Sequence, residues 1–490
     1  MDKLGLDSVF HPRSIAVVGS LRDANRPAAM YLQQLKSFGF PGKLYGVSLG
    51  TTAVPEFETY QRVSDIPGPV DYVISCISAK TVLELVDDCV KKGVKVIQLF
   101  TARLGETFEA PLQQLEREII RRTREAGIKV LGPNCMGIYY PKGKLTFRFH
   151  YPRESGPVAF LSQSAGNVAR LISLGTGRGV RFSKAISYGN GAGLNESDFL
   201  EYLTDDPETK IIAQYVEGVK DGKRFLATLR RAAATKPVIL MKGGFCSAGN
   251  RAAASHTASL TGNRVVWDAA LKQAGVIRVD TMEEMIDAIL AFMFLKVPQG
   301  RRVGAMCGGG GDSVVTADLC EDAGLTVPPL PQDVREEIKK LSPEIYPIIG
   351  NPVDYSALGD QPVFAKICEM LATHPQIDLL LGDAEVAWRL DESKGVDRIW
   401  VMLDMLLTMR EASGKPLAVI IVLPDSGEAW KWERLVEMQD KCRQAGVPVY
   451  PSLKRAVQAI VKFVNYHKVP QIVIKEQLPQ QRHANKTMVA

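Results

Sequence analysis

The sequence predicts an α/β protein built on doubly wound parallel sheets. Three observations point there. Short apolar runs such as Ile15-Ala16-Val17-Val18 alternate with helix-like stretches at the pace of successive βαβ units. Glycine and small polar residues follow the runs, where open α/β sheets place their chemistry. From Arg302 onward the pattern repeats, and Lys415-Pro416-Leu417-Ala418-Val419 echoes Lys236-Pro237-Val238-Ile239-Leu240.

Composition bounds the rest. A chain of 490 residues is long enough for two to four domains. Its hydrophobic fraction of 46% and charged fraction of 23% are those of an ordinary globular protein. A net charge of +6 with no dense Lys/Arg stripe argues against nucleic-acid binding. The eight cysteines are scattered, with no CxxC and no zinc-like spacing, so reduced thiols in a cytoplasmic protein are expected and no metal site. Asp2 and Asp7 interrupt the start, which does not read as a signal peptide. No 18-residue apolar run is present, so no membrane span is expected.

The first unit opens with a buried strand at Ser14–Val18 that ends in Gly19-Ser20. A helix follows from Ala28 to Ser37, then strands at Leu44–Val47 and Tyr72–Ile77. Helix Thr81–Lys92, strand Val94–Phe100, helix Leu112–Glu125 and strand Lys129–Leu131 complete it. The lone Gly19 is not a G-x-G-x-x-G fingerprint. It serves either tight strand-to-helix packing or an anion at a helix start. Gly132-Pro133-Asn134-Cys135-Met136-Gly137 punctuates the end, and Tyr139–Pro152 reads as a linker or short hairpin.

The second unit opens with a strand ending at Leu161, then Ser162-Gln163-Ser164-Ala165-Gly166-Asn167 and a helix over Val168–Leu174. Serine hydroxyls and free N–H groups there suit a phosphate, and plain N-capping by Ser164 suits the sequence equally. A strand ends in Ser187-Tyr188-Gly189-Asn190, and another, Ile211–Val216, ends in Glu217-Gly218. Helices are expected at Ser197–Thr204 and Phe225–Ala234, between and after these strands. The strand Pro237–Lys242 leads to a small-residue loop, Ala252–Gly262, that carries His256. Helix Arg264–Gln273, strand Val276–Val279 and helix Met282–Phe294 follow. The third unit runs from Val303–Cys307 through Gly308-Gly309-Gly310-Gly311-Asp312-Ser313 to a helix ending at Ala323. Ala445-Gly446-Val447 echoes Ala274-Gly275-Val276, giving two related flavodoxin-like units in tandem.

Three strand ends of the second unit and the His256 loop should therefore share one sheet edge. A carboxylate beside an imidazole fixes its tautomer and supports its positive charge, and hydroxyls with a helix N-terminus suit a phosphate. The set describes a histidine that takes up a phosphoryl group. The plain alternatives are a surface histidine on an Ala/Ser-rich linker and a Glu217 that points to solvent. No GxxxxGK[ST] occurs, which argues against a P-loop, and Ser162–Gly166 lacks the leading glycine of a hydrolase elbow.

In order along the chain, the motifs resemble those of the α subunit of NDP-forming acyl-CoA synthetases, the superfamily of ADP-forming acetyl-CoA synthetase and succinyl-CoA synthetase. The anchors are His11–Gly19, Gly132–Gly137, Ser162-Gln163-Ser164, Ser187–Asn190, Tyr215–Gly218, Ser255-His256-Thr257 and Asn351-Pro352-Val353-Asp354. The resemblance spans about Leu6 to Lys468. It implies an N-terminal Rossmann-like CoA-binding domain (1–145), then two flavodoxin-like ligase domains (146–298 and 299–472) and a loose tail (473–490). It also implies that Gly19, Ser20, Ser75, Cys76 and Ile77 contact CoA. Pro133, Asn134, Cys135, Gly189 and Asn190 would form active-site loops. Ser162, Gln163, Ser164, Ala165 and Gly166 would bind phosphate, and His256 with Glu217 would be catalytic. The implied reaction interconverts acyl-CoA, phosphate and ADP with carboxylic acid, CoA and ATP. The implied partner is an ATP-grasp β subunit in an α2β2 assembly, with Mg2+ accompanying the nucleotide mainly on that partner.

Several positions depart from the family pattern. Ala28 and Ala29 stand where a second glycine is usual, and Ser48-Leu49 replaces Asn-Pro. Ser164-Ala165-Gly166 replaces Ser-Gly-Ala, and Gly193 replaces an aspartate. Arg148, His150 and Arg153 near the junction are candidates to receive an acid. Two other functions fit the same fold: a non-catalytic CoA-binding regulatory protein, and an ATP-independent acyl-CoA transferase or lyase.

Overall fold

The computed structural model describes residues 5–48, 56–249, 251, 262–355, 361–384, 395–422 and 427–468. The chain divides into two units, Met1–Phe294 and Leu295–Ala490. Among the described residues, no helix is long and apolar enough to cross a membrane.

The first unit contains two sheets. In the N-terminal sheet all pairings are parallel, in the order β3-β2-β1-β4-β5-β6. The strands are β1 (Ser14–Val18), β2 (Lys43–Val47), β3 (Glu58–Tyr60), β4 (Tyr72–Ser75), β5 (Val96–Leu99) and β6 (Lys129–Leu131). This is the 3-2-1-4-5-6 order of dinucleotide-binding sheets, whose switch point lies between β1 and β4. Four of the strands are fully buried along their length or nearly so, hence their unbroken apolar runs. β3 has no such run, because it is a partly exposed edge strand of three residues. The helices between them are α1 (Asp7–Phe10), α2 (Pro27–Phe38), α3 (Val82–Lys92) and α4 (Ala110–Glu125). Both α2 and α3 end on a left-handed glycine, Gly39 and Gly93.

The second sheet has the order β12-β11-β10-β8-β9-β7. Its strands are β7 (Gly137–Tyr139), β8 (Val158–Ser162), β9 (Phe182–Ser187), β10 (Ile211–Val216), β11 (Val238–Lys242) and β12 (Ile277–Val279). The five from β8 on are parallel, in the 2-1-3-4-5 order of flavodoxin-like sheets. β7 pairs antiparallel with β9. The stretch that reads as a linker is thus partly structural: a strand at Gly137–Tyr139 joins the second sheet, and Tyr140 bridges to Leu145 in a hairpin. Helices α5 (Ala165–Gly177), α6 (Glu196–Asp205) and α7 (Gly222–Thr235) follow β8, β9 and β10. Each begins on a side-chain cap, Ser164, Asn195 and Asp221.

The two sheets of this unit are joined by the loop after β9. Asn190 N–H donates to Pro133 O at 3.0 Å, Ala192 to Gly132 O at 3.1 Å and Leu194 to Val130 O at 2.7 Å. The loop lies directly on the end of β6. A Cβ at Gly193 would fall 2.3 Å from Val130 O, so no side chain fits there. That is the physical reason for glycine at a position the family fills with aspartate.

The second unit holds a parallel sheet in the order β14-β13-β15-β16-β17. Its strands are β13 (Val303–Cys307), β14 (Val353–Asp354), β15 (Leu379–Asp383), β16 (Leu417–Ile420) and β17 (Val449–Tyr450). Strand for strand, this is the order of β9-β8-β10-β11-β12. Its core gathers Val353, Ile367, Leu380, Leu406, Val419 and Leu435 among others, each such side chain contributing about 1.5–3 kcal/mol on burial.

Candidate active site

The two switch points of the first unit are built differently. At the N-terminal one, Gly19 and Ser20 follow β1, and Cys76 and Ile77 follow β4, which ends in Ser75. Gly19 is packed tightly: a Cβ there would lie 2.9 Å from Ala28 Cβ and 3.2 Å from Cys76 Cβ. Strand-to-helix packing therefore accounts for this glycine. Ser20 is exposed in the crevice and Ile77 is half-buried. Ser75 is turned inward, its hydroxyl 3.2 Å from that of Thr101, which in turn donates to Ile77 O at 2.8 Å. Burial pushes the Cys76 thiol up to about 12, so it stays protonated.

Between the two sheets lie the residues expected to form active-site loops. Asn134 Nδ2 donates to Asn190 Oδ1 at 3.5 Å, and Asn190 Nδ2 donates to Glu106 Oε2 at 2.7 Å. Glu106 is a partner that sequence reasoning missed, because it sits in a loop 84 residues before Asn190. Gly189 has φ +59°, and a Cβ there would fall 2.2 Å from Pro133 O. The Cys135 thiol is buried against Leu99 O and Leu131 O, both at 3.5 Å, and burial pushes it up. It is a packing residue, not a nucleophile. Arg153 donates to Ser37 O at 2.7 Å, at the end of α2, so its guanidinium is engaged in holding that helix.

The second switch point lies between β8 and β10. Ser162 ends β8 with Gln163 directly after it, and Glu217 directly follows β10. Gln163 joins the two, because its Oε1 accepts from the backbone N–H of both Glu217 and Gly218. Ser162 Oγ donates to Ser164 O at 2.8 Å and accepts from Ser164 N at 3.1 Å, which shapes the turn into α5. Ser164 Oγ then accepts from Asn167 N at 3.4 Å. The capping role is thus real, and it leaves the N–H groups of Ala165 and Gly166 at the helix start, where a helix favours an anion. Ser187 ends the neighbouring strand and accepts from Met136 N at 3.1 Å.

Glu217 is only 3% exposed. Its carboxylate hydrogen-bonds the Tyr215 hydroxyl, which also bonds Asn167 of α5; burial and then Glu217 push that hydroxyl up. Tyr215 reaches over the next strand at Gly243, where a Cβ would lie 2.6 Å from its oxygen. On the far side, Lys242 ends β11, paired in register with Val216. Tyr215 and Asn167 lie inside motifs the sequence singles out. Lys242 does not, since a lysine closing a strand reads as a solvated end. Ser162, Gln163, Ser164, Ala165, Gly166 and Glu217 thus come together, and Asn134 with Asn190 forms a second group beside them. His256 lies outside the described residues.

Family models place these two halves. One described as a CoA binding domain matches residues 13–141, and one described as a succinyl-CoA ligase like flavodoxin domain matches residues 155–292. The chain is 36% identical over 377 residues to the acetate–CoA ligase [ADP-forming] II subunit alpha of Pyrococcus furiosus, covering 77% of this chain and 82% of that one. It is 30% identical to the I subunit alpha of the same organism, over 95% of this chain and 98% of that one. The chain belongs to the family of ADP-forming CoA ligase α subunits. Among solved structures, the α subunit is similar to the dinucleotide forming acetyl-coenzyme A synthetase 1 of Ca. Korarchaeum cryptofilum in complex with phosphate and ADP. The TM-score is 0.80 at 29% identity, over 95% of this chain and 97% of that one. As a member of this family, the α subunit is part of an acid–thiol ligase that works with CoA and a nucleotide. The subunit names of its relatives imply a partner subunit.

Proposed function

We propose that this α subunit interconverts acyl-CoA, phosphate and ADP with a carboxylic acid, CoA and ATP, through an acyl phosphate and a phosphohistidine on His256. The observation that carries the reading is the placement of Glu217, buried at the second switch point and tied through Gln163 to the strand that opens α5. In the thioester-consuming direction, a phosphate oxygen attacks the acyl carbonyl. The C–S bond breaks, and CoA leaves as the thiol after taking a proton. The imidazole of His256 then attacks the phosphorus of the acyl phosphate, and the carboxylate leaves. Glu217 accepts a hydrogen bond from the other ring nitrogen and balances the charge that develops on the ring. The N–H groups at the start of α5, with Ser164 as cap, hold the phosphoryl oxygens. Finally, a terminal phosphate oxygen of ADP takes the phosphoryl group, restoring the free imidazole.

The N-terminal crevice at Ser20 and Ile77 binds CoA, and the loop pair of Asn134 and Asn190 orients the thioester. An ATP-grasp β subunit holds ADP with Mg2+, in an α2β2 assembly in the cytoplasm. The domains run 1–145, 146–298 and 299–472, with a tail at 473–490. The test mixes the purified chain with its ATP-grasp subunit and γ-labelled ATP, with His256→Ala beside it. Acid-labile, base-stable label on the wild type and none on the variant is expected. Label that persists in the variant would overturn the assignment of His256.

A further inference from the structure

The loop after β5 runs from the N-terminal crevice to the pair of asparagines, and the proposed reaction gives it no task. Thr101 stands near its start. The Thr101 hydroxyl donates to Ile77 O at 2.8 Å, and the Thr101 carbonyl accepts from Asn134 N at 2.9 Å. Glu106 stands further along, half-buried. Its Oε2 accepts from Asn190 Nδ2 at 2.7 Å and from Leu104 N at 3.1 Å, and its Oε1 accepts from Arg103 N at 2.5 Å. A second glutamate, Glu116 of α4, holds the same loop by accepting from Gly105 N at 3.1 Å.

These bonds hold the loop in a conformation that chains rarely take. Arg103 and Phe108 have φ +64° and +60°, and neither is glycine. Left-handed residues of this kind persist only where the surroundings over-determine them, and they gather at functional sites. The two glutamates do not act alike. Glu116 ties the loop to α4, within the first sheet's own layer. Glu106 adds a bond to Asn190, which lies on the loop after β9 of the second sheet.

That bond has a direction. An asparagine amide carries an oxygen at one end and an NH2 at the other, nearly equal in shape, so a backbone tether alone does not decide which end points where. Asn190 has such a tether, from its N–H to Pro133 O, and is 5% exposed. A carboxylate only accepts, so Glu106 selects the NH2 end of Asn190. The Asn190 Oδ1 is thereby turned to Asn134, whose Nδ2 donates to it at 3.5 Å. We propose that Glu106 is a positioning residue: its carboxylate fixes the direction of the Asn190 amide, and through it that of Asn134, so that the two loops meet the acyl thioester in one arrangement. The inference rests on the reading of Asn134 and Asn190 as the loop pair that orients the thioester, made above.

The test separates the two halves of the reaction in the complete α/β enzyme, for wild type, Glu106→Gln, Glu116→Ala and Asn190→Ala. Glutamine fills the same space but carries an NH2, so it no longer dictates which end of Asn190 it meets. In Glu106→Gln, phosphoenzyme formation from ATP should stay within about two-fold of wild type, because the thioester takes no part in it. Discharge of the phosphoenzyme by carboxylic acid and CoA should fall about 10²-fold, the scale of a misplaced reacting group. The loss should appear in kcat, with KM for CoA within about two-fold, since Glu106 acts through Asn190. Glu116→Ala, which cuts the other tie of the loop, should leave discharge within about two-fold. An equal loss in Glu106→Gln and Glu116→Ala, or a loss shared evenly by both halves, would reduce Glu106 to a loop anchor and overturn the proposal. Full discharge in Glu106→Gln beside impaired discharge in Asn190→Ala would overturn the proposal alone. Full discharge in Asn190→Ala would sink the reading of the loop pair, and the proposal with it.

Discussion

The second sheet of the first unit and the sheet of the second unit are two versions of one design. Both follow the same strand order, and both use the same tether. Lys236 Nζ donates to Leu203 O and Asp206 O, each at 2.6 Å. Lys415 Nζ donates to Ala372 O at 2.6 Å and His374 O at 2.7 Å. Each lysine thus closes the carbonyl end of the helix before the neighbouring strand, where a cation complements the helix dipole. The sheets part at their C-terminal edges. By register, Gln163, Ser164, Gln214 and Lys242 in one correspond to Gly308, Gly309, Gly382 and Ile421 in the other. The scaffold recurs, and among the described residues these four polar strand ends occur in one copy; the place of Glu217 itself corresponds to Glu385, outside the described residues. The lysine tether, which recurs in both sheets, is thereby explained by folding, whereas Gln163 and Ser164, which stand in one sheet only, ask for a functional account.

Glu217→Gln breaks this contrast most sharply if it is wrong. Turnover and phosphoenzyme should fall by about 10²–10³-fold with the circular dichroism spectrum unchanged, the scale seen when one preorganised electrostatic group is removed. Retained turnover would leave the polar edge without a role. Next is Gly189→Ala, at the seam that the second unit's sheet does not have. With φ +59° and a Cβ forced to 2.2 Å from Pro133 O, it should cost about 3 kcal/mol or more in urea unfolding.

Glu196 sharpens the contrast through pH. It is 4% exposed, and burial pushes its carboxyl up to about 7. The folded state therefore binds a proton that the unfolded state has released, and stability falls as pH rises from the usual carboxylate range to about 7. Glu196→Gln should stabilise the protein by about 3 kcal/mol at pH 8 and by almost nothing at pH 4. Thermal unfolding at the two pH values reads this directly, and a gain equal at both would exclude the carboxyl as its source. The smallest effect tests the shared half of the comparison. Lys236→Met and Lys415→Met should each cost about 1–3 kcal/mol, as expected for hydrogen bonds made by a charged group. A loss at only one of them would mean that the two tethers are not equivalent.

Local chemistry made much of the fold legible. The buried strands betray themselves as apolar runs, and Ser164, Asn195 and Asp221 announce their helices by capping. Both signals need only neighbours in the chain. Glu58–Tyr60 and Val353–Asp354 were harder, since strands of three and two residues carry no pattern and are held only by their partners.

For the site, the sequence by itself determined which residue types stand at strand ends, and so pointed to Gln163, Ser164 and Glu217. Only the tertiary structure decided which of them meet. Gln163 reaches Glu217 across 54 residues because β10 lies beside β8, and Asn190 reaches Glu106 across 84 because the loop after β9 lies on the first sheet. Lys242 shows the limit most plainly. Its neighbours Phe245 and Trp267 lie close in the chain, yet whether its ammonium meets water or two rings is settled by burial. Burial is a property of packed layers rather than of any short stretch of sequence.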